Sequence, residues 1–219
     1  MNVLLFGATG MVGQGVLREC LNDPGVQKVL AIGRSATAQQ HTKLTERIHG
    51  NLLDLSSVET DLSGFDACFF CLGVTSSGMT EEAYRRVTYS VAVSAGIVLS
   101  RLNPGMTFIY VSGQGTDSTA SGRSMWARVK GETENALLAL PFKAAYMFRP
   151  GIIQPLHGIV SKTRSYRVLY QILGPLLPSL KRIFPQSITT TEQLGLAMLK
   201  VARNGYPKNI LETRDINSV

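Results

Sequence analysis

The chain begins with a short apolar run, Asn2–Phe6, and passes at once into Gly7-Ala8-Thr9-Gly10-Met11-Val12-Gly13. No other stretch of the 219 residues narrows the fold so far. A strand that turns through glycines straight into a helix is built to receive a dinucleotide. Gly7 permits the tight turn. Gly10 lets a diphosphate approach the backbone, and Gly13 lets the helix pack on the sheet. The start of the helix adds unpaired N–H groups and the positive end of its dipole. Three glycines alone are a weak signal; the strand before them and the helix after them make it a strong one. The competing reading is a glycine-rich structural turn.

Hydrophobic periodicity extends the pattern. Short apolar runs predict strands over Asn2–Phe6, Lys28–Ile32, Leu44–Ile48, Ala67–Leu72, Met106–Val111 and Ala144–Phe148. Between them, Met11–Leu21 and Ser124–Leu140 predict helices, and Thr190–Arg203 a late one. Tyr84, Val87, Val91, Ala95, Val98 and Leu102 mark a further helix, with Thr80 as its N-cap and Glu81 and Glu82 in the first turn. This alternation predicts an α/β fold, a doubly wound parallel sheet of Rossmann type with helices on both faces. The whole chain, 1–219, reads as one such domain, with 151–191 as a small C-terminal elaboration on the substrate side. That elaboration holds no Asp or Glu, and Pro155, Pro175, Pro178 and Pro185 interrupt any long helix in it.

Composition excludes several classes. Hydrophobic residues make up 44% and charged residues 17%, which is globular rather than disordered. No apolar run is long enough to suggest a membrane span, and the N-terminus carries no basic leader. Three cysteines, Cys20, Cys68 and Cys71, argue for a reducing compartment, so a cytoplasmic location is expected. Cys68 and Cys71 have a metal-like spacing, but residues three apart on a strand face opposite sides; no metal is expected. The net charge of +7 is lopsided. Residues 1–150 hold 13 basic and 12 acidic side chains, whereas 151–219 hold nine and three. The basic segment 161–182 has three readings: a cleft wall or homodimer contact, a contact with an anionic membrane surface, or a nucleic-acid contact. The last lacks any recognised fold or aromatic-basic interleaving, and no specific nucleic acid is expected.

The cofactor choice turns on Ile32-Gly33-Arg34-Ser35. An acidic residue at the end of the second strand would hold a ribose 2′-hydroxyl. Arg34 cannot accept that hydrogen bond, but it can donate to a 2′-phosphate. NADP(H) is therefore expected over NAD(H); a solvated surface arginine is the alternative. The expected binding residues are Gly7, Ala8, Thr9, Gly10, Met11, Val12 and Arg34. Asn51 and Leu52 border the adenine, and Cys71, Leu72, Gly73 and Val74 line the middle of the cofactor. Pro150, Gly151 and Ile152 close the far end.

The pieces GATGMVG, IGR, CLGVT, YVSGQG, MWARVKGE and FRPG, in that order, resemble the atypical short-chain dehydrogenase/reductase superfamily. The likeness is to the Tat-interacting protein and epimerase-like group, and it covers residues 4 to about 151. It implies a Tyr-x-x-x-Lys pair on the helix after the fifth strand, the tyrosine protonating substrate and the lysine binding the nicotinamide ribose. Here Lys130 is present and Trp126 fills the tyrosine slot. An indole N–H donates a hydrogen bond but has no accessible ionisation, so it cannot be a general acid. The serine of the fifth strand corresponds to Ser112, or to the position now occupied by Gly113. Tyr110, Tyr84, Tyr89, His157 and Tyr166 are the other candidate proton donors. Two functions are expected: an NADP(H)-dependent oxidoreductase or epimerase-like enzyme acting on a small to medium carbonyl or hydroxyl substrate, or a catalytically impaired NADP(H)-binding sensor or scaffold.

Overall fold

The computed structural model describes residues 1–160 and 186–219. The segment 161–182 and Tyr166, which carry the membrane, oligomer and one proton-donor expectation, lie outside the described residues, as does most of the elaboration 151–191.

Strands β1 (Asn2–Phe6), β2 (Lys28–Gly33), β3 (Leu44–Ile48), β4 (Ala67–Phe70), β5 (Thr107–Val111) and β6 (Ala144–Arg149) occupy the expected stretches to within two residues. With β9 (Ile210–Glu212) they form a seven-stranded sheet in the order β3-β2-β1-β4-β5-β6-β9. Every pairing in it is parallel. The order reverses between β1 and β4, which opens a crevice beyond their carboxyl ends.

Parallel strands buried on both faces need apolar residues at every position. In β1, Val3 and Leu5 enter one core and Leu4 and Phe6 the other. The first core lies beneath α1 (Met11–Asn22) and α5 (Thr191–Asn204). These two helices cross closely because Gly15 and Gly195 face each other's helix: a Cβ at Gly15 would lie 2.7 Å from the Thr191 Cβ. The second core lies beneath α3 (Val91–Leu102) and α4 (Met125–Leu138). A run of stacked rings, Phe6–Phe70–Phe108–Phe142, threads it at centroid spacings of 5.1, 6.0 and 4.9 Å. Cys68 belongs to the second core and Cys71 packs on the first, as strand alternation requires.

Three features depart from expectation. The helix expected from Tyr84 onward is interrupted: α2 (Glu81–Arg85) and α3 are joined by a wider π turn over Arg86–Ser90. Thr80 caps α2, its Oγ1 accepting from the Ala83 N–H at 3.2 Å. Within the elaboration, β7 (Ile152–Gln154) and β8 (Ile188–Thr190) pair in parallel as a separate two-stranded sheet. The seventh strand of the main sheet, β9, comes from the last ten residues, which carry no strand-like run beyond three residues. It pairs with β6 and leads straight into α6 (Thr213–Ser218), where Glu212 and Asp215 form a reciprocal capping box.

Candidate functional site

The glycine loop follows β1 in the crevice. Gly7 sits at φ +80°, and a Cβ there would lie 2.7 Å from the Leu72 amide nitrogen. At Gly13 a Cβ would lie 2.1 Å from the Gly7 carbonyl oxygen, so this helix can approach the loop only as glycine. Gly10 is different. Its backbone, at φ −78° and ψ 164°, suits any residue, and its Cβ would meet the protein only at 3.4 Å, ordinary contact. Among the described residues nothing demands glycine there. What its missing side chain leaves open is the space in front of the α1 N-terminus.

Among the described residues, no side chain caps that N-terminus. Gly10 as N-cap supplies no side-chain acceptor, and the first turn of α1 has no acidic residue. The first intrahelical bond runs from Gln14 N–H to the Gly10 carbonyl at 2.8 Å. The Met11, Val12 and Gly13 amides therefore have no acceptor within the helix. Thr9, beside them, accepts from Gln14 Nε2 through its carbonyl at 3.2 Å, and Ala8 is buried. A glycine at position 10 and a row of amides without an acceptor among the described residues, at the positive end of a helix dipole, are the donor set a diphosphate needs. The residues present fit a dinucleotide cofactor.

The other expected binding residues lie at the same edge of the sheet. Arg34 follows β2 directly, is exposed, and makes no ion pair among the described residues. The end of β3 is tied to it by the His49 N–H bond to the Gly33 carbonyl at 2.9 Å. Next in the chain, Asn51 is exposed and Leu52 buried. Beyond β4, Cys71 stays on the ladder through its N–H to the Phe6 carbonyl at 2.9 Å, while Gly73 and Val74 are exposed. At the far end, the Pro150 carbonyl accepts from Gln114 N–H at 2.9 Å, and Gly151 N–H donates to Thr213 Oγ1 at 2.7 Å. Ile152 is half exposed at 49%.

Trp126 and Lys130 share one face of α4, four residues apart. The indole is partly buried and stacks over the 113–115 loop: a Cβ at Gly115 would lie 3.4 Å from its Cη2. Gly131, on the same helix, leaves room for the Asp117 carbonyl, which anchors the end of that loop. Lys130 donates from Nζ to the Ser112 carbonyl. Its side chain keeps some exposed surface, but the amine is deep enough that loss of hydration lowers its pKa to about 8, with Glu134 pulling the other way.

The Ser112 hydroxyl points elsewhere. Oγ donates to Glu134 Oε1 and lies 3.2 Å from the Phe148 carbonyl. Glu134 is fully buried and paired with Arg149, whose Nε reaches both carboxylate oxygens at 3.0 and 3.2 Å. Arg149 also reaches Ser118 Oγ at 2.6 Å and Glu212 at 3.4 Å. Glu134 and Arg149 were not foreseen as part of the site. Two signals pointed to them: Glu134 lies one turn beyond Lys130 on the same helical face, and Arg149 ends an otherwise apolar strand.

The other proton-donor candidates are placed away from this cluster or sealed. Tyr110 is buried in the second core, and loss of hydration raises its pKa. Tyr84 is buried as well. Tyr89 lies beneath the Arg85 guanidinium, 5.1 Å from ring centre to Cζ. His157 pairs with Glu192 at the start of α5 and lines a cleft with Gln14, Arg18 and His41 on the α1 side. Among the described residues, no three His, Cys, Asp or Glu could share a metal ion, and no helix is long and apolar enough to cross a membrane.

Known proteins agree with this geometry. A family model described as NAD(P)H-binding matches residues 7–138, more than half of the chain. The chain is 29% identical over 161 residues to "Protein fmp52, mitochondrial" of Aspergillus fumigatus, covering 69% of this chain and 66% of that protein. It is 26% identical over 155 residues to the rat "Protein HTATIP2", covering 69% and 62%. The chain thus spans just under two thirds of the length of these relatives. In fold it matches the UDP-N-acetylglucosamine 4-epimerase of Methanobrevibacter ruminantium, with TM-score 0.70, 15% identity, and 95% and 74% of the two chains covered. It also matches DesIV, a dTDP-glucose 4,6-dehydratase of Streptomyces venezuelae solved with NAD bound, with TM-score 0.67, 14% identity, and 100% and 79% covered. With the family model spanning the glycine loop, the crevice and most of α4, the chain belongs to the NAD(P)H-binding family, on a Rossmann fold of the epimerase and short-chain dehydrogenase kind.

Proposed function

We propose that the chain binds NADP(H) in preference to NAD(H) and acts as an oxidoreductase or epimerase-like enzyme on a small to medium carbonyl or hydroxyl substrate. The observation that carries the cofactor choice is Arg34, exposed, without an ion pair among the described residues, and placed directly after β2. An exposed guanidinium at this edge can meet a phosphate with paired donors. The observation that carries the enzyme reading is Lys130, whose amine is held at the end of β5 on the Ser112 carbonyl.

The cofactor supplies or accepts a hydride when bound. The chain supplies the rest. The α1 amides and Gly10 receive the diphosphate, and Lys130 donates to ribose hydroxyls. Trp126 offers an N–H to the substrate oxygen without being able to release that proton. The proton itself comes from Lys130, whose pKa of about 8 suits transfer near neutral pH. Ser112, with its hydroxyl engaged by Glu134, fixes the lysine through its carbonyl rather than polarising substrate.

Trp126 also favours a second reading, a cofactor-occupied sensor or scaffold without turnover. NADPH oxidation against a broad carbonyl panel separates the two. Turnover that Lys130→Met abolishes supports the enzyme. Turnover that arises only in Trp126→Tyr supports the binder. A chain of this charge and cysteine content fits a cytoplasmic location.

A further inference from the structure

A carboxylate fully buried beneath a cofactor crevice needs a reason to be there. Glu134 could have been an apolar residue; a buried ion pair is weak evidence of stabilisation, since well-packed hydrophobic replacements often do as well. Its contacts suggest another purpose. One oxygen accepts from Ser112 Oγ, while the carbonyl of that same Ser112 accepts from Lys130 Nζ. Both carboxylate oxygens are gripped by Arg149, which ends β6 and reaches on to Ser118 of the 113–118 loop and to Glu212 of β9. Two strand ends and one helix thus meet at one carboxylate, and Arg149 ties the end of β9 and the loop under Trp126 to them.

We propose that Glu134 is a positioning residue for Lys130: with Arg149 as its counter-ion, it clamps the end of β5 through Ser112 so that the Ser112 carbonyl presents the amine to the cofactor ribose, and its charge keeps that amine protonated. The proposal deepens the function proposed above. Lys130 and Glu134 are one helical turn apart, and the carboxylate acts on the ammonium electrostatically. Arg149, paired with both carboxylate oxygens, partly cancels it. The other titratable groups around the cluster are the buried Tyr110 phenol from β5, the buried Tyr84 phenol from α2, and Glu212 at the end of β9. In a site that strips hydration from an amine, a lysine without a fixed anion loses its proton.

Opposite signs make this testable. The ionisation midpoint of Lys130 is read by NMR of the full-length protein after 13C reductive methylation, with Lys130→Arg identifying the resonance. Glu134→Gln removes the anion, keeps an acceptor for Ser112 Oγ, and is expected to lower the midpoint by about one pH unit or more. Arg149→Met leaves the anion uncompensated and is expected to raise it. Should Glu134→Gln fail to fold, Arg149→Met is compared with Glu134→Gln/Arg149→Met, which differ only in the carboxylate; the double variant is expected to titrate lower by about one pH unit or more. A merely structural role predicts loosening, with every variant drifting up toward the ordinary lysine range. That drift, or no movement at all, would overturn the proposal. The titration is run without cofactor, so a failure to bind NADPH would refute the function above and leave this inference standing.

Discussion

Gly10 and Gly13 are three residues apart, and alanine at each should do opposite things. At Gly13 a Cβ would sit 2.1 Å from the Gly7 carbonyl oxygen and 2.9 Å from the Ala8 Cα. Ordinary contact begins near 3.4 Å, so the helix and loop must part by about 1 Å against backbone that cannot rotate away. Overpacking of that kind costs about 1–3 kcal/mol. At this chain length each kcal/mol lowers Tm by about 2–4 °C, so Gly13→Ala should lose roughly 2–12 °C. At Gly10 the same methyl group meets the protein at 3.4 Å, and the backbone angles suit alanine. Replacing glycine by alanine as N-cap costs about 0.5–1 kcal/mol, roughly 1–4 °C. The methyl group would, however, occupy the space in front of the free amides of Met11 and Val12. Gly10→Ala should therefore stay folded, with a small loss of Tm, and lose most of its NADPH affinity. Thermal unfolding and a fluorescence titration with NADPH read the two effects. A stable Gly10→Ala variant that binds NADPH at parental affinity would refute this placement of the diphosphate.

Arg149→Met strands the fully buried Glu134 carboxylate, and denaturant unfolding should register a loss of about 3–5 kcal/mol. Glu134→Leu/Arg149→Met, which removes both charges, should recover most of it; no recovery would mean that packing and not charge burial dominates. Lys130 makes a separate prediction for alkaline pH. Its pKa of about 8 lies below the ordinary 10.5, so between those values the unfolded chain binds the extra proton. Stability relative to Lys130→Met should then rise with pH across that window, by at most about 1.4 kcal/mol per pH unit, and level off below pH 8, where both states carry the proton. The comparison with Lys130→Met is needed because the buried thiols of Cys20 and Cys71, raised by loss of hydration, act in the reverse direction above pH 9. A flat difference would place the Lys130 amine in water.

Much of the fold could be read from the sequence because the signals were local. Strands such as Ala67–Phe70 announce themselves by continuous apolar runs, and the glycine loop by its place between a strand and a helix. Strand β9 could not be read that way. Ile210–Glu212 is three residues long, and it is a strand because β6 offers an unpaired edge, a tertiary cause with no local mark. The π turn over Arg86–Ser90 was hidden for a related reason: one extra residue in a helix leaves the apolar spacing nearly intact. At the site, the expected cofactor residues lie together because the topology gathers strand ends at one edge. The role of Ser112 was not legible in the sequence. Which way its hydroxyl points depends on Glu134 and Arg149, 22 and 37 residues downstream, and pairwise placement of that kind is fixed only by the packed sheet.

The central claim is that the crevice between β1 and β4 holds a dinucleotide whose 2′-phosphate meets Arg34. Calorimetric titration of the protein and of Arg34→Ala with NADPH and NADH tests it directly. Arg34 makes no described ion pair, so alanine there should leave stability within about 0.5 kcal/mol. A hydrogen-bonded charge contact contributes about 1.5–3 kcal/mol, and exposure of Arg34 favours the lower end. The account predicts that the parent binds NADPH more tightly than NADH, and that Arg34→Ala weakens NADPH roughly tenfold while leaving NADH unchanged. Equal affinity for the two coenzymes in the parent, or an Arg34→Ala variant that keeps the preference for NADPH, would contradict it.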